Sequence, residues 1–405
     1  MRLITRRILL AAATAAMSLG LASSLNAQDN ETFKIGASLP MTGNFSQYGV
    51  LTERALLAGI AQVNQQGGIM GRQAELIVRD DAGNPGRGLL AVKELVEEQK
   101  VDFLYPETLS GVVVSVLPYT TANKVLTVTV GATPEIGDGE KFPYSFQLSD
   151  LATKRVPAMA TAIKKLGGTK AGILVSTNPA TVATGEGLQK VLPDYGIEVA
   201  GFQTFAGDAK DLTPLLQSMR DAGADIIAFD GVSRDSVRIV MSGMQSLGWE
   251  AKVVGEPAVI NGDILEQIPA DVQDQFYSVN YRVATRSGDE ISEAMQPFIE
   301  ELRKFGPVQN LGLSASIRDI VFLVKWAYET AQEKHGSTDA ETVAKLLENI
   351  GESDYPAENS LMLGNPGFKG TDHSTGNADY SQFWGLIHAS ELVDGTYAGE
   401  PLPLE

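Results

Sequence analysis

The strongest constraint on this chain is an alternation that runs through it twice: short apolar, β-branched runs separated by amphipathic stretches. The first series holds "FKIGASL", a stretch at 49–65 with Leu51, Ala55, Ala58 and Val63 on one side, then "AELIVRD", "LLAVKELVEEQ" and "VDFLYP". The stretch 110–123 and the run "VLTVTV" complete it. Runs apolar on both faces suit interior parallel strands, and the amphipathic stretches between them predict helices that cover those faces. The pair Gly67-Gly68 closes the first helix in the left-handed region open to glycine, and Asn84-Pro85 precedes the next helix. From Ala152 the pattern restarts with "AGILVS", a helix near 186–192, "IEVAGFQTF", a helix after Thr213, "ADIIAFD", a helix to Leu247, and "KVVGE". Two such series predict an α/β protein of two doubly wound parallel-sheet lobes. Helices at 291–305, 314–333 and 340–350 follow, and "SQFWGLIH" reads as the last strand. With no low-complexity linker, the lobes are expected to be joined by several short crossings.

The chain opens with Arg2, Arg6 and Arg7 ahead of an apolar run at 8–22 that small residues close. That is the pattern of a secretory signal, too short for a membrane anchor, with cleavage expected after Ala27. "TRRILL" also fits a twin-arginine export signal. No later segment approaches the roughly 18 unbroken apolar residues of a membrane span, so a soluble mature protein is expected. The formal charge of the chain is −18, and residues 1–27 carry only positive groups, so the remainder is more acidic still. Such a balance disfavours nucleic acid and anionic membranes as partners. Cysteine is absent, which removes disulfides and any thiol for a lipid anchor. A freely diffusing monomer in the periplasm, without cofactor or metal, is the expectation.

In open parallel sheets ligands bind beyond the carboxyl ends of the strands. Those ends carry "PMTGNFSQYG" with Tyr48, "DDAGNP", "YPETLSGV" with Ser110 at a helix start, and "GATPEI" with Gly131, Ala132 and Thr133. Unpaired amides at Ser110, Gly131 and Thr133, with two hydroxyls, would cradle a carboxylate. Ser110 and Thr133 read equally as helix caps, and Tyr48 as a packing residue. Glu107 reads either as a cleft acceptor for an amine, amide or hydroxyl group, or as a solvated loop acid.

The stretch "VNQQGGIMGRQAELIVRDD", and the order of motifs from "KIGASLPMTG" to "AGNP", resemble the periplasmic binding proteins for branched-chain amino acids, which deliver to ABC importers. The resemblance spans most of the chain beyond the signal. It implies two lobes joined by three crossings, the first lobe formed by 28–148 plus 282–380 and the second by 149–281 plus 381–405. It also implies that Ser110, Gly131 and Thr133 hold a ligand carboxylate and that Tyr48 lines the same wall. On the second lobe Glu256 would meet the ligand's amino group; Pro257 can align at that position equally well, and Asp230 is the fallback. Two family aromatics are replaced here by Thr184 and Val232, which changes the pocket wall. The family's first-lobe disulfide positions correspond to Gly83 and Leu109, and Leu109 is then expected to face the pocket beside Thr108 and Glu107.

Other classes fit less well. A dinucleotide fold wants G-x-G-x-x-G after its first strand, and "GASLPMTG" places Leu39-Pro40 where backbone must approach a pyrophosphate. His335, His373 and His388 all fall late, with packed or solvated roles favoured over a catalytic triad. "RDDAGNPG" lacks calcium-loop spacing and reads as a strand-end turn. The expected function is therefore solute capture for an ABC importer, an amino acid first among carboxylated ligands. The alternative is a soluble periplasmic sensor that presents an organic or aromatic acid or an amide to a membrane receptor.

Overall fold

A computed structural model of the chain describes residues 31–149, 151–231, 236–257, 268–287, 290–381, 383–393 and 396–402. The expected signal segment and Val232 lie outside the described residues.

The first apolar run forms β1 (Phe33–Leu39), almost wholly buried, with β2 (Ala74–Asp80) and β3 (Phe103–Tyr105) parallel on either side. β4 (Thr127–Thr129) and β5 (Ser145–Gln147) extend a sheet of order β2-β1-β3-β4-β5, parallel throughout. Helices α1 (Ser46–Gln65), α2 (Pro85–Lys93) and α3 (Ser110–Ala122) connect the strands. α1 ends as the glycine pair requires: Gly67 and Gly68 have φ of 98° and 82°, and a Cβ on Gly68 would sit 1.9 Å from the Arg72 carbonyl oxygen. β4 is shorter than its apolar run suggests. The Gly131 amide bonds the Thr129 hydroxyl at 3.0 Å, which turns the chain out of the sheet.

After β5 the chain crosses to a second sheet. α4 (Ala152–Lys165), β6 (Lys170–Ser176), α5 (Pro179–Val191), β7 (Glu198–Phe205), α6 (Thr213–Asp221), β8 (Ile226–Asp230), α7 (Ser236–Leu247) and β9 (Lys252–Gly255) follow in alternation. β10 (Phe276–Tyr281) completes the parallel part, in the order β10-β9-β8-β6-β7. β11 (Arg286–Ser287) and β12 (Glu290–Ile291) then join the far edge of the same sheet.

The lobe boundary differs from the expected residue 282. Arg286 pairs with Ala398, and Phe298, Ile299 and Leu302 of α8 (Gln296–Arg303) fill the second core. The return to the first lobe falls inside α9 (Leu311–His335): Leu311 and Ala315 belong to the second core, and Ile317 to Ala331 belong to the first. After α10 (Ala340–Leu347) the chain crosses a third time into a hairpin of β13 (Trp384–Val393) and β14 (Thr396–Pro401), of which β13 pairs antiparallel with β10. The sequence reading passed over β10, whose buried Ser278 and Asn280 interrupt its apolar run, and β14, which ends in exposed residues. The result is a two-lobe α/β fold with parallel-dominated sheets. Among the described residues no helix is long and apolar enough to cross a membrane.

Candidate ligand-binding site

The carboxyl ends of the strands in both lobes open onto one cleft, with about 700 Å³ of empty space including its mouth. Its first wall is built from Tyr48, Thr108, Leu109, Ser110, Val130 and Ala132. The lobes also approach each other beside the loop after β7: a Cβ on Gly207 would lie 3.8 Å from the Phe45 ring.

Ser110 is not a cap. Leu109 holds the N-cap position of α3 and makes no side-chain cap bond. The Ser110 hydroxyl instead accepts from the Ala132 amide at 3.0 Å and the Thr133 amide at 3.3 Å, which ties α3 to the loop after β4. With both lone pairs engaged, its proton is left to donate to an acceptor in the cleft. The positive end of the α3 dipole points the same way, so this wall favours an anion.

The loop has a second support that sequence reasoning missed. Gln147 Nε2 donates to the carbonyls of Gly131, at 2.6 Å, and Thr133, at 3.0 Å. The expected cradle therefore changes. Ala132 reaches the wall, whereas Gly131 and Thr133 do not line the cleft; the Gly131 amide donates to the Thr129 hydroxyl and the Thr133 amide to Ser110 on α3. Thr133 starts a short 3-10 turn without a side-chain cap bond.

Behind this wall lie two buried carboxyls, Asp81 and Glu107. Neither reading of Glu107 describes what is found. It is neither on the cleft surface nor solvated, and both its oxygens lack hydrogen-bond partners among the described residues. Burial, then the charge of Asp81, push its carboxyl well above the ordinary range. Asp81 is also raised by burial, but it accepts from the Ser38 hydroxyl and the Gly83 amide, both at 2.7 Å. The "DD" pair is thus a strand-end turn, with Asp80 accepting from Thr42 and the Ala82 amide. Gly83 and Leu109, the two disulfide positions of the resemblance, are neighbours: a Cβ on Gly83 would lie 3.3 Å from Leu109 Cδ1.

The opposite wall comes from Arg155, Asn178, Thr181, Asp230, Glu256 and Pro257. Arg155, on α4, is the group sequence reasoning did not single out. Its Nη1 lies 3.3 Å from Glu256 Oε2 and 3.8 Å from Asp230 Oδ2, and all three side chains are almost fully buried. The two acids weighed as alternatives thus share one cation. Asn178 caps α5 by accepting from the Ala180 amide at 2.9 Å, and Thr181 donates to the Ser176 carbonyl at 2.8 Å. Thr184, expected on this wall, is fully buried one turn further on, bonds the Ala180 carbonyl and does not line the cleft.

Tyr281, Asn310, Leu313 and Ser316 close the side where the chain passes between lobes. Asn310 has φ of 28°, caps α9 by accepting from the Leu313 amide, and donates from Nδ2 to the Pro257 carbonyl at 3.2 Å. His373, weighed as a catalytic residue, is buried against Phe146 with Nδ1 2.9 Å from the Ser145 carbonyl, which is a packing role. Among the described residues no group of three or more His, Cys, Asp or Glu is placed to hold a metal ion.

Two α/β lobes that place a cleft between the carboxyl ends of their strands define a bilobed solute-binding fold. Residues 32–382 match the family described as periplasmic binding protein, and the chain belongs to that family. The "Leucine-, isoleucine-, valine-, threonine-, and alanine-binding protein" of Pseudomonas aeruginosa is 28% identical over 256 residues, covering 62% of this chain and 66% of that relative. "Leu/Ile/Val-binding protein homolog 3" of Brucella melitensis is 23% identical over 341 residues, covering 84% and 88%. A solute-binding protein of an R. palustris ABC transporter, solved with 4-hydroxybenzoate, superposes with a TM-score of 0.75 at 20% identity, covering 92% of this chain and 96% of its own. The branched-chain amino acid transporter substrate binding protein of Streptococcus pneumoniae, solved with isoleucine, gives 0.73 at 20% identity, covering 92% and 100%. Members of the family bind small molecules and work with ABC transporter permeases; they are solute-binding proteins, not enzymes.

Proposed function

We propose that this chain is the extracytoplasmic solute-binding component of an ABC importer, capturing a small carboxylated solute between its lobes and delivering it to an inner-membrane permease. The observation that carries this reading is the pairing of walls. One side offers the Ser110 proton at a helix N-terminus, and the other the Arg155–Glu256–Asp230 cluster, across a single cleft. A carboxylate on Ser110 gains charge-assisted bonds of roughly 1.5–3 kcal/mol each. An amino group on the far side meets Glu256 or Asp230. Closure around the solute dries both contacts and presents the closed form to the permease. The protein performs no chemistry in this reading, acts as a monomer, and reaches the periplasm through its N-terminal signal.

An aromatic or other organic acid is the second reading, favoured by Tyr48 and Tyr281 in the cleft wall and by the 4-hydroxybenzoate complex of a structural neighbour. A thermal-shift panel separates the two. Ligand-stripped protein is melted with each amino acid and with its deaminated acid, and a ligand at 100 times its Kd adds about 2.7 kcal/mol. Shifts by amino acids alone support amino-acid transport. Equal or larger shifts by plain acids support the second reading, and no shift by any carboxylate overturns both.

A further inference from the structure

We propose that Glu107 is a positioning residue that must stay protonated for a carboxylate to be held at Ser110, so that affinity for carboxylates is proton-linked. The inference rests on the carboxylate reading above. Glu107 is fully buried, and neither of its oxygens has a hydrogen-bond partner among the described residues. An ionised carboxylate so placed is far costlier than a neutral one. The proton belongs on Glu107 and not on Asp81, because Asp81 is the acid with donors, Ser38 Oγ and the Gly83 amide. Burial and the Asp81 charge push Glu107 the same way, while the Thr108 amide, outside normal hydrogen-bond geometry, offsets this in part.

The groups that face the pair are few. Asp80 and Arg87 act on Asp81 in opposite directions, and the buried Tyr105 phenol, itself raised, bonds Thr108 and stays neutral. Glu107 is joined to the cradle through its main chain. Its carbonyl accepts from the Thr129 hydroxyl at 2.5 Å, and that hydroxyl holds the Gly131 amide at 3.0 Å. Thr108 and Ser110, its near neighbours in sequence, line the cleft. Ionisation of Glu107 therefore sets a second negative charge behind the place where the solute's carboxylate rests. A like charge in a partly buried setting weakens binding roughly tenfold.

The test uses the full mature chain, with benzoate and L-isoleucine as probes, titrated calorimetrically from about pH 6 to about pH 9.5. Benzoate carries no group that titrates in this range, and the isoleucine ammonium titrates identically with every variant. Wild type is expected to lose about tenfold in affinity as pH rises, Glu107→Gln to show no such loss, and Asp81→Asn, which removes the charge that raises Glu107, to move the loss to lower pH. Parallel slopes in wild type and Glu107→Gln overturn the inference and leave the carboxylate reading standing. If Glu107→Gln does not fold, an Asp81→Asn profile superimposable on wild type, or moved to higher pH, overturns it. Absence of binding of both probes to wild type overturns the inference, and the wider thermal-shift panel above decides whether the carboxylate reading falls with it.

Discussion

Arg155 Nη1 lies 3.3 Å from Glu256 Oε2 at the back of the cleft, and neither side chain is more than 7% exposed. One cation thus serves two buried acids, since Asp230 lies 3.8 Å from the same nitrogen. Removing the cation from such a group leaves two almost fully buried acids close together without the charge that sits between them. Arg155→Met is expected to destabilise the ligand-free protein by about 3–5 kcal/mol, read from the urea midpoint. A midpoint within experimental scatter of wild type would show that the acids do not depend on Arg155.

Ser110→Ala removes a donor to the solute and an acceptor for two amides. For a carboxylate confirmed in the thermal-shift panel, affinity should fall by roughly 1.5–3 kcal/mol. Stability without ligand should fall as well, by roughly 1–3 kcal/mol, because the Ala132 and Thr133 amides lose their partner. Isothermal titration and thermal melts read the two effects separately, and unchanged affinity would falsify the role given to this hydroxyl.

Gln147 touches no solute, yet its amide fastens the Gly131 and Thr133 carbonyls. Gln147→Leu keeps the volume and deletes both bonds. The expected outcome is a loss of about 1–3 kcal/mol in stability accompanied by weaker carboxylate binding, since the loop that presents Ala132 is no longer held. Full affinity in a destabilised variant would confine Gln147 to folding.

Glu107 also sets how stability depends on pH. Its folded-state proton affinity is raised, so it contributes fully below the unfolded carboxyl range, near pH 4.3, and the contribution fades as pH climbs toward its folded value. Wild type should therefore lose more melting temperature than Glu107→Gln between about pH 4.5 and about pH 7.5. Parallel melting curves across that interval would mean that this carboxyl titrates normally.

The architecture was legible because strand and helix periods in this chain are strong: "AELIVRD" and β2 coincide, and Gly67-Gly68 terminates α1. The cleft was legible through one general fact, that parallel strands aim their carboxyl ends at ligands, which brought Tyr48, Leu109, Ser110, Ala132 and Glu256 to one place. What escaped was contact across sequence. Nothing local marks Arg155 as the partner of residues 75 and 101 positions away. Nor does "GAT" announce that its amides will be consumed by Ser110 and Thr129 before any solute arrives. Glu107 looked like a loop acid because burial is a property of the assembled lobe, and its neighbour Asp81 belongs to a different strand end.

Asn310 fixes a pivot. Its side chain joins the start of α9 to the Pro257 carbonyl, both on the second-lobe side, just before the point inside α9 where the chain changes lobes. The bond therefore survives a parting of the walls and sets the direction in which α9 leaves the second lobe. Its loss loosens the cleft wall in the open and closed forms alike. Asn310→Ala should weaken binding of a confirmed solute about fivefold in isothermal titration, and unchanged affinity would show that α9 keeps its course without this bond.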